Sequence, residues 1–387
     1  MKNSFLFLFI TFFFSLFCLG QAKIEYASID KKMAEIPNRL TFSTNSIADY
    51  ITSNFKTNDE KIRAVFYWTA STISYDIENM RVLNYTDTFE NRIKNTLKTR
   101  KGVCSDYAEI FKDIAIKAGI NAVVINGYTK YKGEILTDPH AWCGANIDNK
   151  WYVFDPTWGA GYIRNGVFVK AIDNYYFKTD PSKIISSHIP FDYMWQFLNY
   201  TISNKEFYNG QTQINSSKRR FDFDSEISRY NTLSEKEQLI SSSERIKKNG
   251  VINSMILDQL SYEKKKIEYY DQVKALDDFK IIVNLYKEGI NKLNEFINYR
   301  NKQFRPIHSD EELKRMIRNP KDIFSNCQYL LNNLGQVGDK NVASLNSIKK
   351  TLSVAMQLTQ EHEKFVFKYL SKSEPARETM FRTIIRY

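Results

Sequence analysis

Cysteine and histidine are scarce. The 387 residues hold four of each. No Cys-x-x-Cys pair occurs and His140, His188, His308 and His362 are scattered, so the ligand spacing of a structural zinc site is missing. No motif for a cofactor is present either. Tryptophan is absent from the second half, since Trp68, Trp142, Trp151, Trp158 and Trp195 account for all five. That asymmetry predicts two differently built domains. Apolar runs long enough to cross a bilayer are lacking beyond the N-terminus. The one marked run, Phe5 to Leu19, follows Lys2 and ends at Cys18-Leu19-Gly20, which offers small residues at cleavage positions. It predicts a signal peptide over residues 1–20 and an exported protein, periplasmic or extracellular, rather than one kept by a membrane anchor. Phe17 is too bulky for the residue before a lipidated cysteine. Removal of the leader leaves Cys104, Cys143 and Cys327. An odd count in an exported chain implies at least one free thiol.

What is present is ordinary for a globular chain: 43% hydrophobic and 26% charged residues, with a formal net charge of +11. Most of that charge lies beyond residue 215 and is interspersed with acids, as on solvated helix faces. Export argues against a nucleic-acid partner, and a basic surface suits association with an anionic cell envelope.

Periodicity divides the chain. Helices are predicted from Thr44 to Phe55 and from Asn58 through Ile62, Val65, Phe66, Thr69 and Ile73. Residues 77–98 are polar and predict a loop with a short helix. A helix carrying Ala108, Phe111, Ile114, Ala115 and Ala118 ends at the cap Gly119. Strand-like runs follow at 122–127, 141–147, 150–155 and 167–172, with Asp148-Asn149 as a two-residue hairpin turn. The first domain therefore reads as α+β with an antiparallel sheet. Tyr208 to Arg219 has the composition of a linker. Beyond it, Leu276, Phe279, Val283, Tyr286, Ile290, Leu293 and Ile297 alternate spacings of three and four, as do Leu345, Ile348, Leu352, Ala355, Thr359, His362, Val366 and Tyr369. These predict an all-α bundle, broken near Pro306, Pro320 and Gly335–Gly338. His308 and His362 read there as packing or solvent residues.

Chemistry concentrates in two stretches: Gly102-Val103-Cys104-Ser105-Asp106-Tyr107-Ala108, and His140-Ala141-Trp142 with Trp151 to Gly159. Cys104 falls where a helix starts, after a glycine that lets the backbone turn. First-turn N–H groups beside a thiol favour its thiolate and can bind an oxyanion, the Cys104 N–H being the first candidate. Asp106 and Glu109 suit the helix dipole. If Asp148-Asn149 closes the hairpin, Ile147 pairs with Lys150, and Asp155 lies one diagonal from His140 on the same face. Cys143 has the other parity and is expected to face away, leaving Cys104 free of a disulfide. Trp142 and Trp158 read as hairpin packing.

At these residues the chain resembles the transglutaminase-like superfamily, thiol enzymes with a papain-related core. The opening helix into Ile73-Ser74-Tyr75-Asp76 fits, and Pro181 to Phe207, with His188-Ile189-Pro190 and Trp195-Gln196, is similar to the tail of the kyphoscoliosis-peptidase-like branch. The resemblance spans about residues 60–210. It implies Cys104 as nucleophile, His140 as base and Asp155 as orienter. The implied layout is a leader (1–20), a helical lead-in (21–60), a transglutaminase-like catalytic domain (61–210), a linker (211–220) and a helical domain (221–387) without catalytic groups. The implied function is attack on protein or peptide amide bonds through a thioester acyl-enzyme, with water favoured over an amine as acceptor. The alternative is an inactive module that serves as an envelope-binding or scaffolding protein.

Overall fold

Apolar residues at helical spacing open the chain. In this computed structural model, residues 26–80 and 88–382 are described. The expected leader lies outside the described residues, as do residues 81–87 of the polar stretch. Helix α1 (26–34) buries Ile29 and Met33, and α2 (Thr44–Asn54) buries Ile47, Ala48 and Ile51. Helix α3 (Asn58–Thr72) starts at a capping box. The Glu60 N–H donates to Thr57 Oγ1 at 3.2 Å and the Thr57 N–H donates to Glu60 Oε2 at 2.9 Å, satisfying two otherwise orphaned donors. Arg63, only 1% exposed on the inner side of α3, is paired with Asp30 (Nη2 to Oδ2, 2.6 Å).

Strand β1 (Ser74–Tyr75) runs parallel to β2 (Lys101–Gly102) across helix α4 (Phe89–Thr99). Helix α5 (Cys104–Lys117) follows at once and ends in Gly119 at φ +86°, as its pattern predicts. The main sheet comprises β3 (Ala122–Tyr131), β4 (Glu134–Ile135), β5 (His140–Ile147) and β6 (Lys150–Phe154), in the order β4-β3-β5-β6. The β5–β6 turn has Asp148 at φ 51° and Asn149 at φ 65°, the positive pair of a type I′ turn, so Ile147 pairs with Lys150 and Cys143 with Phe154. A second hairpin, β7 (Gly161–Arg164) with β8 (Val167–Lys170), follows β6. After the short helix α6 (Pro181–Ile184), β9 (His188–Pro190) adds to β3, with Thr129 opposite His188.

Both faces of the sheet are covered. Ala141, Cys143, Ala145, Ile147 and Phe154 join the core built by α2, α3 and α5. Ile125, Trp142, Trp151 and Val153 pack on the other side with Met194 and Phe197. Helices α7 (Asn204–Tyr208), α8 (Phe223–Tyr230) and α9 (Glu235–Lys248) complete this unit. The expected domain change lay at 211–220, but the two compact units divide between Glu263 and Lys264. Residues 221–263 stay with the first unit because Ile227, Ile246, Met255 and Ile256 pack in its apolar clusters and their polar groups are tied into it. Arg245 is buried and donates to Asp192 through Nε (2.7 Å) and Nη2 (2.6 Å). Arg245→Met is therefore expected to destabilise the first unit by about 3–5 kcal/mol, because it leaves the buried Asp192 charge without its cationic partner. Denaturation followed by tryptophan fluorescence checks this, since every tryptophan precedes residue 264.

Helix α10 (Ser254–Asn301) contains the division between the units. With α11 (Asp310–Asn332), α12 (Asp339–Leu370) and α13 (Glu374–Arg382) it supplies the helical unit, whose core includes Ile282, Phe296, Ile317, Phe324, Cys327, Leu352 and Val366. Breaks fall near Pro306 and Gly338, as expected. Pro320 does not break its helix. It sits inside α11 and is buried, so packing of that face outweighs the lost backbone hydrogen bond. His362 is a core residue bonded to Arg300 (2.7 Å), and His308 lies 3.9 Å from Glu312.

Candidate active site

The site begins with the way α5 is started. Val103 is extended and Cys104 is the first helical residue, half-buried against the helix–sheet core. Asp106 Oδ2 accepts the Val103 N–H at 2.9 Å, so the acid at this position caps the helix. Arg92, reaching over from α4, donates to Asp106 through Nε (3.0 Å) and Nη2, and to Ser105 Oγ at 2.6 Å. Gly102 is required for space rather than for an unusual turn. Its φ is not in the left-handed region, and a Cβ there would lie 2.8 Å from Asp106 Cβ and 3.0 Å from Thr96 Cγ2.

His140 opens β5 and Asp155 follows β6. Their hairpin register sets them on one diagonal of one face, as the Asp148-Asn149 turn predicts. His140 Nε2 lies 2.7 Å from Asp155 Oδ2. The other carboxylate oxygen accepts the N–H groups of Thr157 (2.9 Å) and Trp158 (3.0 Å). His140 is 9% exposed and Asp155 fully buried. Burial alone would depress the imidazole. The charge and hydrogen bond of Asp155, helped by a hydrogen bond and charge from Cys104, reverse this and hold it well above its ordinary value. Burial likewise pushes the Asp155 carboxyl up, but His140 and His188 outweigh it and hold the group below the usual carboxylate range. Nε2 is committed to Asp155, which leaves Nδ1 as the ring nitrogen available to a thiol.

Cys143 faces away from His140 and Asp155, as expected, on the opposite face of the sheet. That face is the one α5 covers, so Cys143 does not face away from the cysteine helix: its Sγ donates to Ala108 O at 3.4 Å, one turn beyond Cys104. Cys104, Cys143 and Cys327 are all free thiols. Burial pushes Cys143 and Cys327 up, so Cys104 is the half-exposed thiol among them.

Three neighbours were not anticipated from sequence. His188 is buried, with Nε2 3.1 Å from the same Asp155 Oδ2. Tyr75, paired with Gly102, has its hydroxyl pushed up by burial and then by the charge of Cys104. Arg92 adds a cation at the start of α5. Both tryptophans lie against His140 and His188: Trp142, 1% exposed, with centroids at 5.9 and 5.2 Å, and the half-buried Trp158 at 5.6 and 4.8 Å.

Among the described residues, His140, Asp155 and His188 are the group with metal-ligating atoms within 4.8 Å of one another. A divalent ion would need a lone pair from each nitrogen. Here both Nε2 atoms face one carboxylate oxygen, and main-chain N–H groups occupy the other. The donor chemistry fits a hydrogen-bonded network.

A cysteine on a helix N-terminus, facing a histidine and an aspartate from adjacent antiparallel strands, defines a papain-related α+β class. Residues 45–156, which contain all three, match the model of the transglutaminase-like superfamily. This part of the chain is a transglutaminase-like domain, and it is similar to the kyphoscoliosis-peptidase-like branch. Over 161 residues, 39% of this chain and 23% of the relative, it is 29% identical to kyphoscoliosis peptidase of Mus musculus. The Homo sapiens protein of that name is also 29% identical, over 164 residues covering 40% of this chain and 24% of the relative. The chain thus spans about a quarter of the length of these curated relatives. A solved structure of a TGase is 21% identical with a TM-score of 0.25, covering 35% of this chain and 37% of that one, and adds nothing to the argument.

Proposed function

We propose that the chain is an exported thiol enzyme in which Cys104 is the nucleophile, His140 the base and Asp155 the orienter. It acts on protein or peptide amide bonds, and water is its usual acceptor. Cys104 Sγ attacks the amide carbonyl and forms a thioester. The C–N bond breaks, and the leaving amine takes its proton from the His140 imidazolium. Neutral His140 then accepts a proton from water as water attacks the thioester. Carboxylic acid leaves and the thiolate–imidazolium pair is restored. A primary amine in place of water would give a new amide. Hydrolysis is favoured because water is the default acceptor and no amine site has been identified.

The observation that carries this reading is the placement of His140, with Nε2 2.7 Å from the buried Asp155 carboxylate. Asp155 holds the ring by Nε2 and favours its charged form, and Cys104 contacts it from the other side. An imidazolium fixed against a thiol at a helix start is what thiol activation needs. The helical unit is assigned substrate recruitment or envelope association. Export rests on the first 20 residues, and no helix among the described residues is long and apolar enough to cross a membrane. N-terminal sequencing of secreted material should begin at or near Gln21.

To test the activity, the full chain is incubated with peptide amides, with and without a primary alkylamine, and peptides are mapped by mass spectrometry. A thioester on Cys104 that decays to free acid supports the hydrolase reading, and decay mainly to the alkylamide would favour cross-linking. Absence of any acyl-enzyme from a folded protein would move the assignment to an inactive scaffolding module.

A further inference from the structure

Asp155 serves two imidazoles, and the reaction above uses one. His188 lies on β9, 33 residues beyond Asp155, and reaches the site because β9 pairs with β3. It is 1% exposed. Trp142 (centroids 5.2 Å), Trp158 (4.8 Å), Tyr176 (6.1 Å) and His140 (5.9 Å) surround its ring. Its two nitrogens have distinct partners: Nε2 faces Asp155 Oδ2 at 3.1 Å, and Nδ1 lies 2.8 Å from Ser187 Oγ. A carboxylate accepts only, so Nε2 carries the proton. Ser187 Oγ is also 3.2 Å from Ile184 O, and the shorter contact assigns its hydroxyl proton to Nδ1.

We propose that His188 is a positioning residue: a neutral Nε2–H donor that keeps Asp155 turned toward His140 and ionised, and through it keeps His140 charged beside Cys104. The inference rests on the thiol-enzyme reading above. Asp155 Oδ2 accepts from both rings, and Oδ1 is saturated by the Thr157 and Trp158 N–H groups. Without His188, one of four donors is lost in a site from which water is excluded, and the carboxylate is freer to rotate or to take a proton. The ionisable groups facing His188 are Asp155 after β6, His140 on β5 and Tyr176 before α6; of these, Asp155 is its direct partner. Burial holds His188 below its ordinary value, against the pull of Asp155, which agrees with a ring that stays neutral at physiological pH.

The test compares wild type, His188→Leu and His188→Gln in the full chain. Alkylation of Cys104 by iodoacetamide is measured from pH 4 to 9 by peptide mass spectrometry, alongside melting by tryptophan fluorescence. Glutamine reaches as far as the imidazole Nε2 and keeps an N–H donor. Leucine fills the space without one. In His188→Leu the acid limb should move up by about one pH unit, a roughly tenfold slower alkylation at pH values below the wild-type midpoint, while His188→Gln stays within about twofold of wild type. A His188→Leu profile superimposed on that of wild type overturns the proposal. So does a His188→Gln protein that melts like wild type but is as slow as the leucine variant. Should His188→Leu not fold, nitrogen NMR of the wild-type ring decides: a neutral Nε2–H tautomer between pH 5 and 8 is required, and an Nδ1–H or doubly protonated ring contradicts it. Failure of the thiol-enzyme reading looks different, because the wild-type thiol itself would then titrate like a free cysteine.

Discussion

Cys104→Ser is expected to abolish thioester formation and reduce amide turnover by more than about 10⁴-fold, while leaving the fold intact. A serine hydroxyl fits the half-buried position and suits the first turn of a helix. The start of α5 does not depend on the sulfur, because Asp106, Val103 and Arg92 hold it. His140 is charged by its pairing with Asp155, so it cannot easily serve as a strong base toward a hydroxyl of much higher pKa. Activity is read as peptide cleavage, and folding as the melting temperature. A folded serine variant that keeps a tenth of the activity would show that the reaction does not pass through this side chain.

Asp155→Asn should cost nearly as much activity and, unlike the first variant, should also cost stability. The amide oxygen can still accept the Thr157 and Trp158 N–H groups, so the turn survives. The NH₂ group then faces two imidazole Nε2 atoms that had both donated to Oδ2. His140 must change tautomer or turn away, and a wrong tautomer in a comparable triad lowers turnover by about 10⁴-fold. The linked stability has a definite sign. Asp155 is held below its ordinary value, so its contribution is complete above about pH 4 and is lost as pH falls through its lower folded value. His140 is held above its ordinary value, so its contribution is complete below about pH 6.5 and is lost as pH rises through its higher folded value. The stability gap between wild type and Asp155→Asn should therefore be widest from about pH 4 to 6.5 and shrink on either side. At its widest it should approach the roughly 3–5 kcal/mol of a broken buried pair. Tryptophan-detected melting across pH measures it, and a gap that does not vary with pH would remove the ion pair from the account.

Local signals made much of this legible. Asp148-Asn149 has the residue types of a two-residue turn, and the turn fixes the register that carries His140 and Asp155 to one diagonal. Gly119 marks the end of α5 by the conformation it alone adopts cheaply. Parity set the face of Cys143 but could not tell that α5 covers that face. His188 was out of reach because β9 joins the sheet after a long excursion, and no short spacing links it to Asp155. Residues 221–263 have the same helical period whether they pack on the sheet unit or on a bundle, and tertiary contacts decide: the buried Arg245–Asp192 pair, and Ile227, Ile246 and Ile256 in the apolar clusters of the sheet unit. Pro320 read as a break because propensity carries no information about a packed helix face.

The account depends most on the pairing of Cys104 with His140. Shifting a thiol's ionisation by two to four pH units takes roughly 3–5 kcal/mol, whereas a helix terminus supplies about 0.3–1 and at most about 2. The imidazolium has to supply most of the difference. The direct measurement is the rate of Cys104 alkylation against pH for wild type and His140→Ala, with Cys143 and Cys327 protected by burial. Wild type should react at near-plateau rate well below pH 7, and His140→Ala should shift that limb to about pH 8.5, the range of an ordinary thiol. A wild-type thiol that already titrates near pH 8.5 and does not respond to His140→Ala would contradict the account.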